Sequence, residues 1–141
     1  MRGTYVLLMD ISRPVGITIG KLGSIEFKEG AYAYVGSALG GLEARVGRHT
    51  KKDKRMYWHV DYLLTRAPLV DVIYAESEER RECDISKELA SKFEAVKGFG
   101  ASDCGCKSHL FYSENLQKLT DSVITIFKSV GLKPIKGGQF G

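Results

Sequence analysis

A phenol, a guanidinium and an imidazole held at one junction could handle a phosphodiester. The run Tyr34-Val35-Gly36-Ser37, followed by Leu42, Arg45 and His49, offers all three. The pattern predicts a strand that ends near Tyr34 and Gly36, then a short helix. Arg45 and His49, four residues apart, share one face of that helix. Arginine is a permanent, fork-shaped cation suited to a phosphate. Tyrosine and histidine can pass protons.

The elements that must position these groups follow from periodicity. Gly3 to Asp10 reads as a strand, and Val15 to Gly20 with Ser24 to Phe27 reads as a hairpin. Ala31 to Val35 is a fourth strand. Leu42 to about Thr50 is a helix with Leu42 and Val46 as its apolar stripe, and Tyr57 to Thr65 is a second. Leu69 to Ala75 is a strand. Ser77 is the expected cap of a third helix reaching about Lys97, with Ile85, Leu89, Ala90, Phe93 and Val96 at helical spacing. Gly98 to Cys106 is a glycine-rich loop, and Lys107 to Tyr112 a last strand. Ser113 is expected to cap a final amphipathic helix closed by Gly131. The fold class is therefore α/β (α+β), a small, mainly antiparallel sheet flanked by helices. One domain over residues 1–132 and a flexible tail over 133–141 are expected.

Three further features carry chemistry. Glu82 falls in line with Ile85, Leu89 and Phe93 on the third helix, so a carboxylate shares the core-facing stripe. It either meets a cation, a metal or a wet pocket, or has cleared the core and is solvated. Second, Arg45, Arg48, Lys51, Lys52, Lys54 and Arg55 face Asp53 alone, a local charge of +5. That is a nucleic-acid footprint or a solvated helix end with its favoured cations. Third, Cys104, Cys106 and His109 lie within six residues, and Cys83 could supply a fourth ligand for tetrahedral zinc. The plainer alternative is a set of small buried thiols beside a hydrogen-bonded histidine. Trp58 and Tyr62 fit core packing, with nucleic-acid stacking as the sharper role for Trp58 or Tyr57.

Composition narrows the class. The 141 residues are 43% hydrophobic and 27% charged, with a formal net charge of +4. This is an ordinary globular balance. No stretch suits a bilayer span, and no signal peptide opens the chain, so a cytoplasmic protein with no membrane partner is expected. Three cysteines then read as thiols or metal ligands rather than a disulfide framework.

The chain resembles the GIY-YIG nuclease superfamily. Gly3-Thr4-Tyr5 stands where that family has its first triplet and Tyr34-Val35-Gly36 where it has its second. Ser37, Leu42, Arg45, His49 and Glu82 continue the pattern. The segments GAYAYVGSALGGLEARVGRH, WHVDYLL, EC and FGASDCGCKSHLFY resemble, more closely, a small uncharacterised archaeal-type branch sometimes attached to a DNA-repair endonuclease. The resemblance implies a metal-dependent DNA endonuclease, with DNA and a DNA-repair enzyme as partners. It makes Tyr5 and Tyr34 the phenols, Arg45 the phosphate clamp, His49 a proton handler and Glu82 the ligand of Mg or Mn. Arg48, Lys51, Lys52, Lys54 and Arg55 would track the DNA backbone. The competing class is a non-catalytic nucleic-acid-binding module, held by zinc through Cys83, Cys104, Cys106 and His109. Three departures from the family stand out: Thr4 replaces the usual isoleucine, a hairpin around Lys21-Leu22-Gly23 lengthens the Tyr5–Tyr34 spacing, and Gly40-Gly41 adds a residue before Leu42.

Overall fold

The first strand, β1 (Gly3–Ile11), is buried on both faces. Its odd residues Tyr5, Leu7, Met9 and Ile11 enter one apolar cluster, and its even residues Val6 and Leu8 enter another. Such a strand must lie inside a sheet with a layer on either side. The computed structural model describes residues 1–51, 56, 58–101 and 105–137. After β1 come β2 (Val15–Thr18), β3 (Ser24–Phe27), β4 (Gly30–Ala38), α1 (Leu42–Thr50), α2 (His59–Leu64) and β5 (Leu69–Glu76). Then follow α3 (Glu82–Ala90), β6 (Glu94–Ala95), β7 (Leu110–Ser113), α4 (Leu116–Ser129) and β8 (Ile135–Lys136). The main sheet is antiparallel, in the order β6-β7-β4-β1-β5-β8.

The expected antiparallel sheet flanked by helices is what the chain forms. β1 pairs directly with β4, with Leu7 opposite Tyr34 and Tyr5 opposite Gly36. The β2–β3 hairpin is a separate two-stranded sheet, an excursion between two strands that are spatial neighbours. Its Ile17 and Phe27 pack beside α1 and α2 in the first cluster, while α3 and α4 cover the opposite face. Among the described residues no helix is long and apolar enough to cross a membrane.

Boundaries differ most from the pattern reading at α3, at the cap of α4 and in the C-terminal segment. The third helix spans Glu82–Ala90, not Ser77 to Lys97. The Ser77 hydroxyl donates to the Glu79 carbonyl inside a turn, and Ser91 donates to Glu88 at the helix end. Beyond it Glu94 and Ala95 pair with β7, a sheet contact that local helical spacing does not encode. Ser113 belongs to β7 and accepts from the Asn115 amide, while Asn115 caps α4 by accepting from Lys118. Ile135 and Lys136 pair with β5 at the sheet edge. Residues 138–141 lie outside the described residues.

One glycine determines the meeting of β1 and β4. A Cβ on Gly36 would lie 2.5 Å from the Tyr5 ring and its hydroxyl. The absence of a side chain there lets the Tyr5 phenol cross β4. Gly36→Ala should cost about 1–3 kcal/mol through overpacking. Gly40→Ala, where a Cβ meets nothing within 4 Å, is the control. Urea unfolding should show a lowered midpoint for the first variant and little change for the second. Equal midpoints would contradict the close packing.

Candidate active site

β1 and β4 deliver Tyr5 and Tyr34 to the same face of the sheet, where α1 lies. Ser37, of opposite parity, turns towards α3. A cleft of about 480 Å³ opens at this end of the sheet. It is lined by Tyr5, Tyr34, Arg45 and Glu82, together with Ser37, Trp58, Arg80, Cys83 and His109. Four of the five residues expected to be catalytic thus border one space, and the fifth, His49, lies directly behind Tyr5.

His49 is buried, and its Nε2 is 2.8 Å from the Tyr5 hydroxyl. Its Nδ1 is 4.0 Å from a carboxylate oxygen of Asp61, whose side chain is fully buried. Asp61 is held in turn by a two-pronged Arg48 guanidinium at 2.8 and 3.0 Å and by the Trp58 amide at 2.8 Å. A phenol, an imidazole, a carboxylate and a guanidinium therefore form a line from the cleft into the protein. When Nδ1 carries the proton facing Asp61, Nε2 accepts from Tyr5.

Trp58 organises the cationic side of the cleft. The guanidiniums of Arg45 and Arg48 each lie 4.4 Å from its ring centre. Such stacking orients arginine while leaving its N–H donors available. Arg45 also donates to the Ser37 carbonyl at 3.1 Å. Trp58 packs against the apolar cluster, as expected, and forms the cleft wall as well. Arg48, partly exposed, pairs with Asp61. Lys51 is exposed just beyond α1, and Lys52, Lys54, Arg55 and Tyr57 lie outside the described residues.

Glu82 opens α3, where the positive end of the helix dipole favours a carboxylate. Its side chain is 18% exposed, so it is neither sealed in the core nor freely solvated. The Ser37 hydroxyl donates to one carboxylate oxygen, and Arg80 approaches the other at 4.0 Å. The oxygen donors here are hard and partly wet, which suits a divalent cation that keeps some of its own water.

A second donor group adjoins the cleft. Ligand atoms of Cys83, Cys106 and His109 lie within 4.8 Å of one another and could hold a metal. Ser86 bonds the His109 Nδ1 at 2.6 Å. Burial lowers the pKa of His109 from its ordinary value, while Glu82 pulls it upward. Cys104 lies outside the described residues.

The loop before β7 closes the floor. Gly98 and Gly100 take φ of +78° and +70°, which side chains rarely adopt, and between them Phe99 is driven into the core against Phe27, Tyr34 and His59. The Gly100 amide donates to His59 Nδ1 at 2.7 Å. Asp61, Arg80, Ser86 and His59 were not singled out as site residues in the sequence. Asp61 meets Arg48 only across two helices, so no local spacing reveals the pair. Its one local signal is its place three residues after Trp58, where its carboxylate caps the start of α2.

The model of a family described as a domain of unknown function, DUF123, matches residues 4–132. The chain belongs to the DUF123 family. No curated protein and no solved structure matches it. The DUF123 match spans every cleft residue named above.

Burial pushes the Tyr5 phenol up to about 12, against the opposing charge and hydrogen bond of Arg45. The Tyr34 phenol is raised further, again by burial, with Tyr5 adding to it. Both are neutral at physiological pH, so neither is a standing phenolate. The folded protein then holds the Tyr5 proton where the unfolded chain, near 10, releases it. The stability this confers is complete below pH 10 and is lost as pH rises towards 12. Urea midpoints should fall as pH rises from about 10 towards 12, and fall less steeply in Tyr5→Phe. Parallel falls in both proteins would show that Tyr5 is not the buried phenol responsible.

Proposed function

We propose that this DUF123 chain is a metal-dependent nuclease that hydrolyses phosphodiester bonds in DNA, related to the GIY-YIG nucleases. The observation that carries the reading is the convergence of Tyr5, Arg45 and Glu82 on one cleft, with His49 hydrogen-bonded behind the phenol. Arg45, fixed by Trp58 and the Ser37 carbonyl, offers its remaining donors to a phosphate. Arg80, exposed at the rim, adds a second cation, and Lys51 extends the positive surface.

Glu82 would hold magnesium or manganese, which polarises the phosphoryl oxygens and offsets their developing charge when bound. Because Tyr5 is neutral, its role is a relay. As water attacks phosphorus, its proton passes to the Tyr5 oxygen while the Tyr5 proton moves to His49 Nε2. Asp61 steadies the imidazolium that forms. The departing alkoxide takes a proton from solvent, and the His49 imidazolium releases its own to solvent, which restores neutral Tyr5 and His49. Tyr34 walls the cleft and excludes water from the Tyr5–His49 contact. Action in DNA repair, beside a repair enzyme, is proposed on the resemblance to a branch sometimes attached to a DNA-repair endonuclease.

The Cys83, Cys106 and His109 group supports a second reading, a zinc-held nucleic-acid-binding module without catalysis. Cleavage separates the two. Branched, flapped and single-stranded DNA should be cut with magnesium or manganese, and Glu82→Ala should abolish the metal-dependent rate. Tyr5→Phe should lower it about 10²- to 10⁴-fold. The fluorescence of Trp58, the single tryptophan, should still report DNA binding in both variants. Binding with no metal-dependent cleavage of any substrate, or cleavage indifferent to Glu82→Ala, would overturn the nuclease reading.

A further inference from the structure

We propose that Cys83, Cys106 and His109 bind a zinc ion that pins the first turn of α3 to the chain entering β7. Its donors are other than the Glu82 oxygens, although Cys83 and His109 line the same cleft as Glu82, and the proposal does not depend on the nuclease reading.

Three observations support it. The first is the donor set: two thiols and an imidazole are soft or borderline ligands that select zinc over magnesium or calcium. The second is distance. Tetrahedral zinc with bonds of about 2.0–2.3 Å sets its ligand atoms roughly 3.3–3.8 Å apart. These atoms already lie within 4.8 Å of one another, so rotamer-scale closure completes three corners. Water can serve as the fourth ligand.

The third is the support around His109. The imidazole is buried, and Ser86, itself buried one turn beyond Cys83 on α3, engages Nδ1 at 2.6 Å. A hydroxyl bonded to one ring nitrogen is the outer-shell arrangement that orients a ligating histidine. The first turn of α3 also lacks a side-chain cap at Arg81. What holds it is the Arg81 guanidinium, which donates to Asp84 at 2.7 Å and to the Val130 carbonyl at 2.7 Å. A metal bond from Cys83 would fasten the same turn from its other side.

The proposal separates two chemistries in adjacent places. Glu82 and Ser37 offer hard oxygens at the cleft, and Cys83, the next residue, offers sulfur to the neighbouring group. Weak chelation should strip magnesium and leave zinc.

Metal analysis of the full chain, purified under reducing conditions without chelator, tests this. About one zinc per chain is expected, falling at least tenfold in Cys106→Ser and Cys83→Ser. Ser86→Ala, which leaves all three ligands in place, is the milder probe. It should weaken zinc about 10- to 100-fold in chelator competition. Cobalt added to the zinc-free wild type should give a thiolate-to-cobalt absorption band. Glu82→Ala should keep both the zinc and that band while losing cleavage, so failure of the zinc site and failure of the nuclease reading are separable. A wild-type chain with neither zinc nor a cobalt–thiolate band would overturn the proposal. So would unchanged zinc affinity in Ser86→Ala together with full zinc in Cys106→Ser.

Discussion

The candidate site depends on one buried contact, the hydrogen bond between the Tyr5 hydroxyl and His49 Nε2. It joins the first strand to the first helix, 44 residues apart in sequence. It forms because β1 and β4 are paired so that Tyr5 faces Gly36. A side chain at position 36 would push the phenol away from α1. A shift of register by one residue would send Tyr5 to the opposite face, among the α3 and α4 contacts. The hairpin between the two strands leaves this register untouched, because it leaves and rejoins the sheet without entering it.

Two carboxylates near the cleft live in different settings. Asp61 is sealed from solvent and satisfied by Arg48 and the Trp58 amide, so it serves as a fixed negative charge behind His49. Removing one partner of so buried a pair leaves an uncompensated charge, which is costly. Glu82 is partly wet and sits at a helix N-terminus with Ser37 and Arg80 as neighbours. A buried carboxylate steadies a developing imidazolium, whereas a wet one can exchange its water for a cation. Trp58 links the two settings, since the arginine that serves Asp61 and the arginine that faces the cleft both stack on its ring.

Much of this was legible in the sequence because it is local. Strand alternation, the break at Gly40-Gly41 and the i,i+4 pair of Arg45 and His49 placed β1, β4 and α1 close to where they form. The sequence left open whether Glu82 was buried with a partner or solvated, and it is partly exposed with Ser37 as partner. The misses are non-local. α3 is shorter than its apolar spacing suggests because β6 pairs with β7. Asp61 looked unremarkable because its partner lies on another helix. Positive charge lies near Tyr5, but burial outweighs it, so the phenol is raised rather than lowered. Thr4, the departure in the first triplet, is fully buried with its hydroxyl unbonded among the described residues, a cost borne at a strand position where its branched side chain fits.

In the proposed metal-dependent cleavage of DNA, Tyr5 and His49 act as one proton-transfer unit. A double-mutant cycle on the cleavage rate tests it most directly, using Tyr5→Phe, His49→Ala and the pair together. Groups that act as a unit are strongly non-additive, so the double variant should be about as slow as the slower single variant. Losses that multiply in the double variant would show that the two residues act independently, and would contradict the relay.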